Sequence, residues 1–170
     1  MAPGFTWAGT PYPTQGAALS SSWRFTRRWR LSATFDYRAG QTLFNETASV
    51  RCGFGLCRGR IDRTAPLSDQ ATAIAAYELP LGYYEDADYL KLRELALAFD
   101  VPDRLAATLG ARAATIMIGG RDLVTWTGYS GPDPETASYG RDYNGSPTIV
   151  GDFATVPLPA SWTLRVRVSY

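Results

Sequence analysis

The last ten residues of the chain alternate strictly between apolar and polar side chains. This two-residue period predicts a β-strand whose two faces meet different surroundings. Two arginines and three hydroxyl residues share one face, which suits water. The opposite face is wholly apolar, so a second sheet or lipid has to cover it. The apolar side chains are Trp162, Leu164, Val166, Val168 and Tyr170.

Residues 29–38 repeat the same pattern. Aromatic rings stand at both ends of each apolar face, as they do at the two bilayer interfaces in transmembrane strands of about 9–11 residues. The predicted lipid-facing or interfacial residues of this segment are Trp29, Leu31, Phe35 and Tyr37. The predicted lumen-facing polar residues of the two segments are Arg30, Thr34, Asp36, Arg165 and Arg167.

Five antiparallel strands are predicted, at residues 17–25, 29–38, 89–99, 113–126 and 161–170. Their connections alternate between short and long, which is typical of barrels with short periplasmic turns and long extracellular loops. These connections are residues 26–28, 40–88, 102–110 and 127–160. Proline and alanine positions predict short helices at 66–77 and 102–110. A bulge at Arg93-Glu94 would bring the leucines before and after it onto one face.

Two other architectures remain open at this stage. A soluble β-sandwich, such as a carbohydrate-binding module, would cover both apolar faces with a second protein layer. A small passive porin would need eight or more strands to close. Coverage of the apolar faces and the strand count therefore separate the three hypotheses.

The composition excludes several classes of function. A net charge of +1 gives no electrostatic reason to bind nucleic acid. The chain has no histidine, so histidine-dependent nucleophilic catalysis and histidine-ligated metal sites are excluded. Asp133 and Glu135 could form an acid–base pair, but a solvated turn explains them better. Residues 142–145 resemble the start of a calcium loop and lack its later glutamate. We therefore predict no enzyme activity, cofactor or metal.

Three stretches of the sequence resemble the C-terminal part of SusC/RagA-like TonB-dependent outer-membrane transporters. They are DYLKLREL at 88–95, GRDLVTWTGYSGPDPE at 120–135 and VPLP at 156–159. The second stretch contains the family-motif loop residues Trp126, Tyr129, Asp133 and Glu135. The sequence departs from the family pattern at Asp122, Pro132, Val156 and Ala160.

The resemblance implies an all-β chain, the C-terminal fragment of a large transmembrane barrel of about 22 strands. It implies an active importer of oligosaccharides or peptides in the outer membrane of a Gram-negative-type bacterium. The implied partners are outer-membrane lipid, the rest of the barrel and its plug, a SusD-like surface lipoprotein, and the TonB system through a missing N-terminal part. Residues 1–170 are thus expected to be a partial barrel domain with no plug and no signal peptide.

Cys52 and Cys57 bracket a glycine-containing loop within residues 40–88. Two cysteines without histidine cannot complete a four-ligand zinc site. An exported loop lies in an oxidising compartment, so the pair is predicted to form a disulfide that orders the loop locally.

Overall fold

The computed structural model describes residues 7–76, 80–108, 110–136, 138–141, 147–153 and 155–170. The chain divides into two compact units. The first, here called the sheet unit, comprises Gly16–Tyr37, Leu90–Trp126 and Leu158–Tyr170. The second, here called the loop unit, comprises Met1–Gln15, Arg38–Tyr89 and Thr127–Pro157.

The sheet unit is built on one sheet of five long antiparallel strands. The strands are β1 (Gln15–Arg24), β2 (Trp29–Ala39), β5 (Tyr89–Asp100), β6 (Ala113–Thr127) and β9 (Ser161–Ser169). Each strand pairs with the next long strand along the chain, in the order β1-β2-β5-β6-β9. The all-β class and all five predicted strands are confirmed, with bounds that differ from the prediction by at most two residues.

The pairing of β6 with β9 sorts the side chains onto two unlike faces. Ile116 lies opposite Val166 and Ile118 opposite Leu164 on one face. The other face carries Thr115 opposite Arg167 and Met117 opposite Arg165. The apolar pairs therefore share one face and the arginines of β9 share the other, and a one-residue slip would exchange the two faces of β9.

The apolar face of the sheet is left bare along β9. Leu164 is 69% exposed and Val168 37% exposed, and Trp162, Val166 and Tyr170 are exposed as well. On β2, Leu31 and Phe35 are partly exposed, whereas Ala33 between them is buried. No second layer of described residues covers these side chains, which is the arrangement that a soluble β-sandwich does not allow.

The neighbouring strands β5 and β6 depart from regular side-chain alternation or backbone geometry, β5 at Arg93-Glu94 and β6 at Asp122. Arg93 pairs with Asp36, while its neighbour Glu94 lines a cavity with Arg165, so both side chains project from the polar face. This placement is what the bulge predicted at Arg93-Glu94 requires. On β6, Asp122 has a φ of 51°, in the left-handed region that non-glycine residues rarely adopt.

The loop unit contains structure that the sequence did not predict. Four short strands form a second sheet in the order β4-β3-β8-β7. They are β3 (Thr42–Phe44), β4 (Tyr84–Asp86), β7 (Ser138–Arg141) and β8 (Pro147–Gly151). The segments 40–88 and 127–160 are thus more than connections, because strands within them pair: β3 lies antiparallel to β4 and parallel to β8.

Three α-helices lie between β3 and β4: α1 (Glu46–Gly53), α2 (Arg58–Ile61) and α3 (Leu67–Ile74). The helix predicted at 66–77 is confirmed as α3, which begins after Pro66, and Tyr77 lies outside the described residues. A 3₁₀ helix (Pro80–Tyr83) leads into β4. In the sheet unit, α4 (Asp103–Thr108) occupies the short connection where a helix was predicted. No helix among the described residues is long and apolar enough to cross a membrane.

A small core holds these helices of the loop unit together. It consists of Phe44, Cys52, Ala73, Ala76 and Tyr83. Phe44 also packs against Tyr84, with ring centroids 5.1 Å apart. Asn45 begins α1 by accepting a hydrogen bond from the Ala48 amide through its side chain, at 2.8 Å.

The predicted disulfide between Cys52 and Cys57 is present, with the two Cα atoms 4.8 Å apart. Cys52 is buried in the core of the loop unit, and the bridge closes the turn that follows α1. The bond therefore fixes the exposed segment between the cysteines to the core.

We predict that the double variant Cys52→Ser/Cys57→Ser loses local order and keeps the five-stranded sheet. A ring of six residues removes little chain entropy, so the loss should stay at about 2 kcal/mol or less. Hydrogen exchange should accelerate in α1 and α2 and stay unchanged in β5 and β6. Labelled thiols in the non-reduced, denatured wild-type protein would contradict the bridge.

Candidate functional site

The polar face of the sheet unit is the first candidate surface, and ion pairs and hydrogen bonds organise it. Arg30 on β2 reaches Asp100 on β5 at 3.7 Å. Asp100 also accepts a hydrogen bond of 2.9 Å from the Thr115 hydroxyl on β6. Three adjacent strands are thus linked through one carboxylate. Both Arg30 and Asp100 are about two-fifths exposed, so the pair contributes little to stability.

Two cavities lie along this face. The first, of about 200 Å³, is lined by Arg30, Ala98, Asp100, Thr115, Met117, Arg165 and Arg167. The second, of about 240 Å³, is lined by Glu94, Ala96, Met117, Gly119, Arg121, Thr163 and Arg165. The structure thus brings three of the predicted lumen-facing residues, Arg30, Arg165 and Arg167, into one cavity.

The two other predicted lumen-facing residues make separate contacts. Thr34 shares a hydrogen bond of 3.1 Å with the Ser20 hydroxyl on β1. Asp36 accepts from Arg93, at 2.8 Å from Nη2 and 3.3 Å from Nε. Arg93 also lies 3.5 Å from Asp122, so one guanidinium bridges carboxylates on both neighbouring strands.

Sequence reasoning missed Arg93 and Asp122 as site residues. The available signal was the change of side-chain parity at Arg93-Glu94, which predicted a bulge without predicting a charge partner. The side chains of Arg93, Asp36 and Asp122 are between 13% and 26% exposed. Solvent therefore screens the attraction of Arg93 for the two carboxylates far less than that of Arg30 for Asp100.

The second candidate surface is the motif loop in the loop unit. Glu85 on β4 holds Ser130 at two points, accepting from its amide and from its hydroxyl, each at 2.8 Å. The Asn45 amide group donates to both Glu85 and Ser130, at 3.0 and 2.8 Å. The same asparagine that begins α1 therefore fixes the motif loop to β4.

Tyr129, one residue before, is buried against Leu43 and Ala87. Its hydroxyl faces one oxygen, Oδ2, of the fully buried Asp152 carboxylate. Among the described residues, neither the Tyr129 hydroxyl nor Asp152 Oδ2 makes a well-aligned hydrogen bond. Burial, together with the Asp152 and Glu85 carboxylates, raises the pKa of Tyr129 above its ordinary value of 10. The other Asp152 oxygen accepts from the Thr47 amide at the start of α1, at 2.9 Å.

Asp133 and Glu135 do not form a pair of facing carboxylates. Asp133 is buried, and its carboxylate accepts a hydrogen bond of 2.9 Å from the Glu135 amide, whereas the Glu135 side chain is exposed. The prediction of a turn is therefore supported, but the prediction that Asp133 is solvated is wrong. The hydrogen bond from a backbone amide of its own turn helps to satisfy this buried carboxylate.

Trp126, the remaining motif residue, lies near the end of β6 and is exposed. Residues 142–145, where the sequence resembles the start of a calcium loop, lie outside the described residues. Among the residues that the structure describes, no three acidic or cysteine side chains form a group that could hold a metal ion.

We predict that Arg93→Met destabilises the protein by about 2 kcal/mol, because it removes the cation that bridges two partly buried carboxylates, Asp36 and Asp122. Arg30→Met is the matched control, since its pair is more exposed and is worth less than about 1 kcal/mol. The urea midpoint of the protein in lipid vesicles measures both. Equal effects would show that the Arg93 bridge has no special role.

We predict that the stability of the loop unit falls at alkaline pH and that much of this loss comes from Tyr129. An unfolded tyrosine loses its proton near pH 10, whereas the folded Tyr129 keeps it. This contribution to stability is therefore complete below pH 10 and is lost as the pH rises further. Thermal unfolding between about pH 8 and 11 should show this loss in the wild type and in exposed Tyr170→Phe, and a smaller loss in Tyr129→Phe.

No protein-family profile matches the chain. It is 23% identical over 171 aligned positions to TonB-dependent receptor P3 of Formosa agariphila, covering 95% of this chain and 17% of that protein. It is 27% identical over 88 positions to TonB-dependent receptor P26 of the same organism, covering 52% of this chain and 9% of that protein. The chain thus spans less than a fifth of the length of these curated relatives.

Two solved structures of the RagAB peptide importer have a similar fold. In the open-open state the TM-score is 0.53 at 21% identity, covering 95% of this chain and 18% of the importer chain. In the closed-closed state the TM-score is 0.51 at 24% identity, covering 71% and 14%. The matches confirm the resemblance that the sequence motifs predicted: in sequence and in fold, this chain is similar to part of a SusC/RagA-type TonB-dependent transporter.

Proposed function

We propose that the sheet unit forms part of the wall of a transport barrel in the bacterial outer membrane. The observation that carries this proposal is the contrast between its two faces. One face exposes Trp162, Leu164, Val166 and Val168 without a protein layer over them. The other presents arginines and ion pairs. Lipid on the first side and water on the second satisfy both faces at once.

The barrel belongs to an active importer of large nutrients, oligosaccharides or peptides, that is energised by the TonB system and paired with a surface lipoprotein. Two curated relatives are named TonB-dependent receptors, and the structural neighbours are described as a peptide importer. In this proposal the polar face lines the lumen, and residues 1–170 supply only part of the barrel domain. The plug and the TonB contact are supplied by other parts of a longer protein.

The connection lengths give the proposed orientation. The short connections at 26–28 and 102–110 face the periplasm, and the loop unit faces outward. Tyr170 and Trp29 then lie at the periplasmic interface, whereas Trp162 and Tyr37 lie at the outer one.

A protease added to intact cells should therefore cut within residues 127–160 and spare residues 26–28.

We predict that Leu164→Lys lowers the amount of folded transporter in the outer membrane. A lysine on the lipid face near the middle of a strand costs about 2–4 kcal/mol. Thr163→Lys is the matched control, because Thr163 is the adjacent residue on the polar face of β9. Membrane fractionation and heat-modifiable migration measure both variants. Loss of the Thr163 variant with survival of the Leu164 variant would reverse the assignment of the faces.

We predict that deleting the gene for the longer protein abolishes growth on one oligosaccharide or peptide and spares growth on its monomers. Uptake of that nutrient in the wild type should stop when the proton gradient is collapsed, because a TonB-dependent importer uses that energy. Uptake that continues without the gradient would favour a passive porin. Unchanged growth on a broad panel of both nutrient classes would contradict import.

A further inference from the structure

The outer edge of β9 is left incomplete by the strands of the sheet unit. In the sheet order β1-β2-β5-β6-β9, β9 pairs with β6 on one side, and among the described strands none pairs with its other side. In lipid an open edge would leave backbone N–H and C=O groups without hydrogen bonds. The physics of the bilayer therefore fixes what covers this edge: it is a further β-strand, here called the adjoining strand.

Two arginines lie along this edge without a carboxylate partner. Arg165 and Arg167 share the polar face of β9, and their Cα atoms are about 7 Å apart in an extended strand. On the side of β6 they lie opposite Met117 and Thr115, which carry no charge. Within the part of the chain that the structure describes, neither arginine forms an ion pair. The two like charges therefore repel each other.

The cavity beside these arginines holds an excess of positive charge. Three arginines line it, and Asp100 is its one carboxylate. That carboxylate is already engaged, because Arg30 lies 3.7 Å away and the Thr115 hydroxyl donates to it at 2.9 Å. The anionic groups that would neutralise β9 therefore have to come from outside the described strands.

The ion pairs of the same face indicate where such groups come from. Arg30 on β2 pairs with Asp100 on β5. Arg93 on β5 pairs with Asp36 on β2 and with Asp122 on β6. All three pairs join strands that are neighbours in the sheet. Side chains directly opposite each other on antiparallel strands lie close enough for such pairs, so the adjoining strand is the expected source of carboxylates.

We propose that the adjoining strand is acidic on its polar face and that two of its carboxylates, at alternate positions, lie opposite Arg165 and Arg167. The inference rests on the proposed function, because the bilayer is what requires the edge to be paired. Alternate positions on one strand face alternate positions on its neighbour, so each arginine can take its own carboxylate in a bidentate pair.

The adjoining strand lies outside residues 1–170. The other free edge of the sheet is β1, and residues 15–24 contain no aspartate or glutamate. In a second copy of this chain, β1 would therefore offer no carboxylate, and β9 would set arginines against arginines. The acidic strand thus belongs to another part of the longer protein.

The first test uses Arg165→Lys/Arg167→Lys in the full-length transporter, which keeps both charges and supplies amines. A carbodiimide condenses a lysine amine with a carboxylate in contact with it, and the reagent takes up the water that is lost. Peptide mass spectrometry of treated outer membranes should find residues 161–170 joined to an aspartate or glutamate of one barrel strand. Thr163→Lys is the matched control on the same face of β9, and its cross-link to that strand should be several-fold weaker.

The second test reverses the charges. Arg165→Glu/Arg167→Glu should lower the amount of folded, heat-modifiable transporter several-fold, because it sets like charges opposite each other. Replacing the two cross-linked carboxylates by arginine in the same variant should restore the wild-type amount. A defect confined to β9 would not be repaired by a change on another strand.

Cross-links only to the plug, or none to a barrel strand, would overturn the inference and leave the proposed barrel intact. A charge-reversed variant that the reciprocal change does not restore would contradict it as well. Disulfide formation between Ser169→Cys and cysteines along the adjoining strand reads the register with both arginines in place, and uncharged residues opposite them would also overturn it. A wild-type protein that is not a heat-modifiable barrel in the outer membrane would overturn the proposed function, and the inference with it.

Discussion

The antiparallel register between β6 and β9 is the constraint on which the sheet unit depends. It places Arg165 opposite Met117 and Arg167 opposite Thr115, so that both arginines share a face. A slip of one residue would exchange the faces of every side chain on β9. Because the ion pairs and both cavities lie on the polar face, the register decides what the sheet presents to water and what it presents to lipid in the proposed function.

The charges of the polar face are arranged in two different ways. Arg30 on β2 pairs with Asp100, and Arg93 on β5 bridges Asp36 and Asp122. The left-handed conformation of Asp122 costs about 1 kcal/mol or more, and the contact with Arg93 offsets part of that cost. On β9, Arg165 and Arg167 line the cavities, and no carboxylate of the described residues forms an ion pair with either of them. This side of the lumen is therefore the more basic one in the proposed barrel.

The loop unit has a different physical basis, a cluster of buried polar groups. Asn45 serves three partners at once: the Ala48 amide, Glu85 and Ser130. Asp152 reaches the amide of Thr47 at the start of the same helix. These hydrogen bonds join α1, β4 and the motif loop, so the buried polar groups of Asn45, Glu85 and Ser130 are satisfied in this arrangement of the three segments.

The strands of the sheet unit could be predicted because their information is local. Alternation over ten residues reports two environments, and it needs no knowledge of the partner strand. The bulge at Arg93-Glu94 also left a local trace, a change in side-chain parity. The helix α3 was predictable for the same reason, since Pro66 and the alanines after it act within one segment.

The contacts of the loop unit left no such local signal in the sequence. Asn45 meets Glu85 from 40 positions away and Ser130 from 85, and Thr47 meets Asp152 from 105. The strand β3 has three residues, too few to show a period. The sequence by itself therefore determined the five strands, their two faces and the disulfide. Only the tertiary structure decided the second sheet, the burial of Asp133 and the partners of Arg93, because those depend on which distant segments meet.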